Sequence, residues 1–153
     1  MAADNWLVFE SMKLNYGDGT IDFSADVFDM QLHTSTWVPT LSGDTIRTDL
    51  SDELAGTFGY TVTGEVIGSV TYLESAGVAT FDSADVVWTA SGGSITARFA
   101  VVIDDTPAAP LDPLICYSLL DDTPADVTAT DGNTLTVQIH ANGYFQLSGG
   151  TTP

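Results

Sequence analysis

The side chains that could do chemistry are few in kind and lopsided in charge: two histidines and one cysteine, with 21 aspartates and glutamates against three lysines and arginines. A zinc site would need carboxylates to complete it, and His33 and His140 stand at no recognised ligand spacing from each other. Both fall on the expected outer face of a strand and read as surface residues. Cys116 is alone, so no disulfide forms within the chain; in the apolar run Leu114-Ile115-Cys116-Tyr117 it reads as a buried, inert thiol. Calcium is the stronger question. Asp18, Asp22, Asp26 and Asp29 crowd one segment, and Asp104-Asp105 and Asp121-Asp122 lie in loops that could converge. An EF-hand loop counted from Asp18 needs glycine at its sixth position, where Phe23 stands. The acidic loops read as solvated charge, with an irregular calcium loop as the alternative, and no cofactor or metal is expected.

Catalysis finds no motif to rest on. There is no Gly-x-Ser-x-Gly elbow, and with so many Ser and Asp residues a Ser-His-Asp set can be drawn without meaning. Carboxylate pairs for glycoside hydrolysis are equally cheap to draw among 21 candidates. Gly56-Thr57-Phe58-Gly59-Tyr60 lacks the Lys and the helix that a phosphate-cradling loop feeds. The chain is expected not to be an enzyme.

The elements that must position these groups are strands. From about Ser24 the dominant period is two, which places one face of each segment on a core. In Ile95 to Ile103 the residues Ile95, Ala97, Phe99, Val101 and Ile103 are expected to share a face. Leu135, Val137 and Ile139 point inward from Thr134 to His140, and Asn142-Gly143 turns that strand into Tyr144-Phe145-Gln146-Leu147 as a hairpin. Val66 to Leu73 pairs with Val78 to Phe81 across Glu74-Ser75-Ala76-Gly77, and Val86 to Thr89 turns through Ser91-Gly92-Gly93-Ser94 into the Ile95 strand. Trp88 lies inside a strand and belongs in the core.

Two stretches break the pattern. Asp4 or Asn5 is placed to cap a short helix through Trp6, Phe9 and Lys13 that stops near Gly17, the alternative being an extended arm. A single helical turn is expected at Ser51 to Leu54, while Thr34 to Arg47 reads as a long loop. Asp104 to Pro110 and Asp121 to Asp126 read as proline-stiffened loops kept wet by their carboxylates. The expected fold is all-β: one antiparallel β-sandwich or barrel-like domain over residues 21–148, preceded by a helix or arm over 1–20 and followed by a flexible tail over 149–153.

A formal net charge of −18 bounds the partners. Such a surface repels nucleic acid and anionic lipid, and it repels itself most weakly in a salty medium, so an extracellular or marine setting fits. With 44% hydrophobic residues the chain nevertheless folds. Its opening residues lack a signal peptide's basic and apolar regions, and no stretch approaches the ~20 apolar residues of a membrane span. Synthesis in a cytoplasm is the expectation. Trp6, in the terminal segment with Leu7 and Phe9, and Trp37, in the long loop beside Pro39, are the candidate interface anchors.

Read together, Ile21-Asp22-Phe23 and then Met30-Gln31-Leu32 running into Thr34-Ser35-Thr36-Trp37-Val38-Pro39 resemble the opening of a family of small structural proteins of tailed-phage virions. Further similar stretches follow in order: Leu50-Ser51-Asp52-Glu53, Gly59-Tyr60, Thr80 to Asp85 leading into Val87-Trp88, Ile95 to Val101, and Pro113-Leu114-Ile115. The likeness spans roughly residues 20 to 147. The Gly-Gly that follows the Gly-Tyr position in that family is missing, and the Asp-Asp-Thr-Pro loop is this chain's own. The resemblance implies a virion component, and the acidic charge favours the outside of the head over a DNA-facing position. The expectation is a capsid cement or decoration protein that stabilises the major capsid protein lattice and self-associates, as a trimer for instance. A tail or fibre module with Trp37 and Tyr144 stacking on sugars is the alternative, and a glycan-acting enzyme is third.

Overall fold

A computed structural model describes residues 5–149. In chain order the elements are β1 (Leu7–Val8), α1 (Glu10–Gly17), β2 (Phe28–His33), β3 (Glu65–Val66), β4 (Thr71–Ser75), β5 (Val78–Asp82), β6 (Val86–Thr89), β7 (Ile95–Ala97), β8 (Phe99–Asp104), β9 (Leu114–Leu119), β10 (Val127–Ala129), β11 (Thr134–Val137) and β12 (Phe145–Ser148). A five-stranded sheet runs β1-β9-β8-β2-β3, a three-stranded sheet β12-β5-β4, and two ribbons pair β7 with β10 and β6 with β11. Every pairing is antiparallel. The fold is all-β with one short helix, as the period-two pattern predicts.

The five-stranded sheet is apolar on both faces. Phe28, Met30 and Leu32 of β2 join Ala100 and Val102 of β8 in the larger core, which also takes Phe23, Phe81 and Trp88 from outside the sheet. Phe9, Trp37, Val101, Ile103 and Leu114 form a second core on the opposite face. Ile95 and Ala97 therefore do not share a face with Phe99, Val101 and Ile103. Arg98 separates β7 from β8, donating its N–H to the His33 carbonyl at 2.9 Å while its own carbonyl accepts from Leu120 at 3.0 Å. The one-residue change of phase there sends the alternate set of side chains to the other face.

Of the three expected hairpins, one forms. β4 and β5 pair from Thr71↔Asp82 to Ser75↔Val78, and Ala76 (φ 53°) with Gly77 (φ 82°) makes the two-residue, positive-φ turn such a hairpin requires. The Asn142-Gly143 turn forms, with Gly143 at φ 69°, but it carries the chain from β11, paired to β6, across to β12, paired to β5. Similarly, Ser91 to Ser94 does not fold β6 onto β7; each pairs instead with the returning segment of β10 and β11. Alternation specifies which face is buried and leaves the partner strand open.

The expected N-terminal helix forms and ends at Gly17 as expected, but it starts late, and the residues before it are a paired strand and not a free arm. Trp6 to Phe9 is extended: Leu7 and Val8 pair with Tyr117 and Cys116, and the Phe9 N–H reaches the Ile115 carbonyl at 3.1 Å. The helix begins only at Glu10, with extended Phe9 in the capping position and no side-chain cap; Asp4 lies outside the described residues, as do residues 150–153 of the tail. The expected turn at Ser51 to Leu54 forms earlier, at Arg47–Asp49, because the Asp49 carboxylate takes the N–H groups of Thr45 (2.8 Å) and Ile46 (3.1 Å). Those bonds hold the Asp49 carboxyl below its ordinary range.

Gly64 shows how closely the loop before β3 lies on β2. At φ 86°, an added Cβ would sit 2.1 Å from the Met30 carbonyl oxygen. Gly64→Ala is expected to lose upward of about 1 kcal/mol of stability, read as a lower urea midpoint with an unchanged m-value.

Candidate functional site

β2 turns an unusual row toward the second core: Asp29, Gln31 and His33 are 7%, 1% and 0% exposed. The loop from Thr34 to Leu54 folds over them. His33 Nδ1 lies 2.8 Å from the Ser51 carbonyl and so carries the proton that it donates. Burial pushes its pKa down against the pull of Ser51, Glu53 and Asp52, leaving a neutral ring with a bare Nε2, 3.3 Å from Gln31 Oε1. Gln31 Nε2 is buried without a partner, and a half-turn of that amide lets it donate to His33 Nε2, giving the bare ring nitrogen a donor. His33 is thus a core residue, which corrects the surface expectation; His140 is exposed, as expected. A polar residue whose loop partner arrives from 18 residues away leaves no local signal.

At the other end of the row stands Arg47. Its guanidinium reaches Asp29 at 3.0 Å, Asp105 at 2.7 Å and Asp112 at 3.0 Å. One of the three strong cations of the chain is therefore consumed in holding two loops, its own and the β8–β9 connection, to β2. A second network ties Glu53 to the sheet: Tyr60 donates to Glu53 Oε1 at 2.8 Å and accepts the Leu32 N–H at 3.1 Å. Burial, with the adjacent Glu53, pushes the Tyr60 hydroxyl far above its ordinary range. These titratable groups are spent on one another, and all but Asp105 are at least partly withdrawn from solvent.

The candidate interface residues divide between the two faces. Trp37 is 3% exposed and sits against His33 at 4.8 Å and Phe99 at 5.3 Å; Phe9 is 0% exposed and rests on Tyr117 at 5.5 Å. Both are interior residues of this chain, which corrects their reading as exposed anchors: the second face of the sheet needs an apolar cover and they supply it. Trp6 is half-buried, edge-on to Tyr144 at 4.9 Å, and Leu7 is 44% exposed on edge strand β1. Tyr144 is itself buried, its hydroxyl 2.7 Å from that of Ser83, which corrects its expected role as an exposed sugar platform. Trp88 and Cys116 are buried as expected, and burial pushes the Cys116 thiol up.

Beside Trp6 a cleft of about 380 Å³ opens between the N-terminal segment and residues 140–146. Trp6, His140, Asn142 and Gln146 line it, and no carboxylate among the described residues does. His140 Nδ1 accepts the Asn142 N–H at 3.1 Å, so the ring is held as part of the turn. Among its described residues the cleft offers a ring face and carboxamides but no paired acid and base and no nucleophile with an adjacent base, the arrangement that general acid–base or covalent catalysis uses. Among the described residues no three His, Cys, Asp or Glu side chains gather as a metal cluster, and no helix is long and apolar enough to cross a membrane.

Fold and site together define the chain as a β-sandwich-like domain with a few ionisable groups buried in internal networks, most of its carboxylates at the surface, and an edge strand and a cleft at its N-terminal segment. No family model, curated protein or solved structure matches it.

Proposed function

We propose that this chain is a virion structural protein, a capsid cement or decoration protein that binds the outside of a phage head and reinforces the lattice of the major capsid protein. The observation that carries the reading is the division of its polar groups. Asp29, Glu53 and His33 are locked into the Arg47, Tyr60 and Ser51 contacts, while the many exposed carboxylates give a skin repelled by DNA. The resemblance over residues 20 to 147 points the same way. Edge strand β1, with Leu7 exposed, supplies main-chain groups and an apolar side chain for docking, and self-association as a trimer would multiply that contact.

Cosedimentation of the purified chain with empty heads of its phage tests the proposal. Saturable binding is expected, and Leu7→Asp should weaken it about tenfold or more while leaving the unfolding midpoint near wild type. Failure to bind heads, with strong binding to tails or to glycans, would overturn it in favour of a tail or fibre module. The neutral cleft favours that second reading, since an aromatic ring beside carboxamides suits an uncharged sugar. Turnover of any glycan would displace both.

A further inference from the structure

Asp104 ends β8 wholly buried, at 0% exposure. Its Oδ1 accepts the Thr106 N–H at 3.1 Å, while Oδ2 meets no donor. The group it faces is another carboxyl, that of Asp26, and Asp105 adds more negative charge. Both acids stand on turns that are sewn together. The Asp105 N–H reaches the Val27 carbonyl at 2.9 Å, the Val27 N–H reaches Thr106 Oγ1 at 2.8 Å, and Asp26 Oδ2 accepts the Asp22 N–H at 2.7 Å.

Among the described residues, neither arginine nor the one lysine is paired with Asp26 or Asp104. Arg47 is taken by Asp29, Asp105 and Asp112; Arg98 pairs with Asp126 at 2.7 Å; Lys13 is exposed on α1. Two carboxyls so placed, one of them buried, are costly to ionise unless a proton or a cation lies between them, and a cation takes the place the proton vacates as pH rises. We propose that Asp26 and Asp104 form a site for a hard divalent cation, calcium foremost, bound between their two carboxylates. The donors are all oxygens, which excludes a soft-metal site, and two carboxylates on irregular turns suit an ion that completes six to eight ligands with water in flexible geometry. Magnesium demands a stricter octahedron. With only two anionic ligands the affinity belongs to the weak range of extracellular modules, roughly 0.1–1 mM.

Calcium chloride is titrated into the chelator-treated full chain, against potassium chloride of matched ionic strength, with calorimetry and the thermal midpoint as readouts. Saturable heat and a raised midpoint are expected. Asp104→Asn and Asp26→Asn should each weaken the response about tenfold or more, while Asp122→Asn, on an exposed loop, keeps it. If Asp104→Asn does not fold, half-buried Asp26→Asn carries the comparison. No calcium response beyond that of the potassium salt overturns the site. So does an undiminished response in Asp26→Asn, which would assign the effect to general screening of the −18 charge.

Discussion

Arg47→Met removes about 3–5 kcal/mol of folding free energy, among the largest single-residue losses expected in this chain. The loss does not reflect strong attraction at the surface, where ion pairs contribute little. Arg47 is 14% exposed at its side chain and Asp29 only 9%, so the pair has been taken out of water. Burial already pushes the Asp29 carboxyl above its ordinary range, and the Arg47 hydrogen bond pulls it back only partway. Without Arg47 that carboxylate stands buried beside Asp105 and Asp112 with no counter-charge. Urea denaturation near pH 8 measures the loss. Adding Asp29→Asn to Arg47→Met should restore part of it, so the double-mutant cycle shows coupling. Acidification should narrow the gap to wild type, because a carboxylate that has lost its partner can take a proton instead. An Arg47→Met protein as stable as wild type would mean that the two loops are held to β2 by packing alone.

What is legible in the chain is local. The alternation of Val27 to His33 marks β2, and Ala76-Gly77 marks the turn of its hairpin, because side-chain period and positive φ are written in neighbouring residues. The partners of the strands are not legible. Thr134 to Val137 alternates equally well whether it meets β12 or β6, and only the crossing at Gly143 decides. There an added Cβ would lie 2.2 Å from the Phe81 carbonyl, so that glycine is required by β5, more than sixty residues upstream, as well as by its own turn.

The same limit explains the site residues. Trp6, Leu7 and Phe9 stand together in the sequence, yet an extended segment at a sheet edge sends neighbours to opposite sides: Trp6 packs toward the larger core, Phe9 into the second, and Leu7 remains exposed. Trp37 follows Thr and Ser in a proline-containing loop, which reads as an exposed position. A sheet with two apolar faces needs a cover for each, and that need is visible only once Phe99, Val101 and Ile103 are known to face away from Ile95. Asp29 and His33 read as solvated for the same reason: strand alternation assigns polar side chains outward, whereas here the outward face is itself covered, while Asp104 reads as the first residue of a wet loop and instead ends β8 opposite Phe28.

Asp104→Asn should reverse sign relative to most substitutions of buried residues: in chelator and above about pH 8 the variant is expected to be more stable than wild type. Burial comes first among the causes that raise the Asp104 carboxyl to about 8, with Asp26 and Asp105 adding to it against the Thr106 N–H bond. In the unfolded chain the same group titrates near 3.9. Between those values the folded state holds a proton that the unfolded state has released, so stability falls as pH rises through this window and levels off beyond it. The carboxamide of the Asp104→Asn variant carries no charge at any pH and escapes that loss, which is on the order of 3–5 kcal/mol when complete. His33 works in the opposite direction, since its lowered pKa means that stability is lost as pH falls below its ordinary range, but it is common to both proteins and cancels in their difference. Parallel urea titrations near pH 4.5, 6 and 8 should therefore show the variant's advantage growing with pH. A difference that stays constant across the series would mean that Asp104 is ionised throughout in the folded protein, and that something other than a proton already neutralises it.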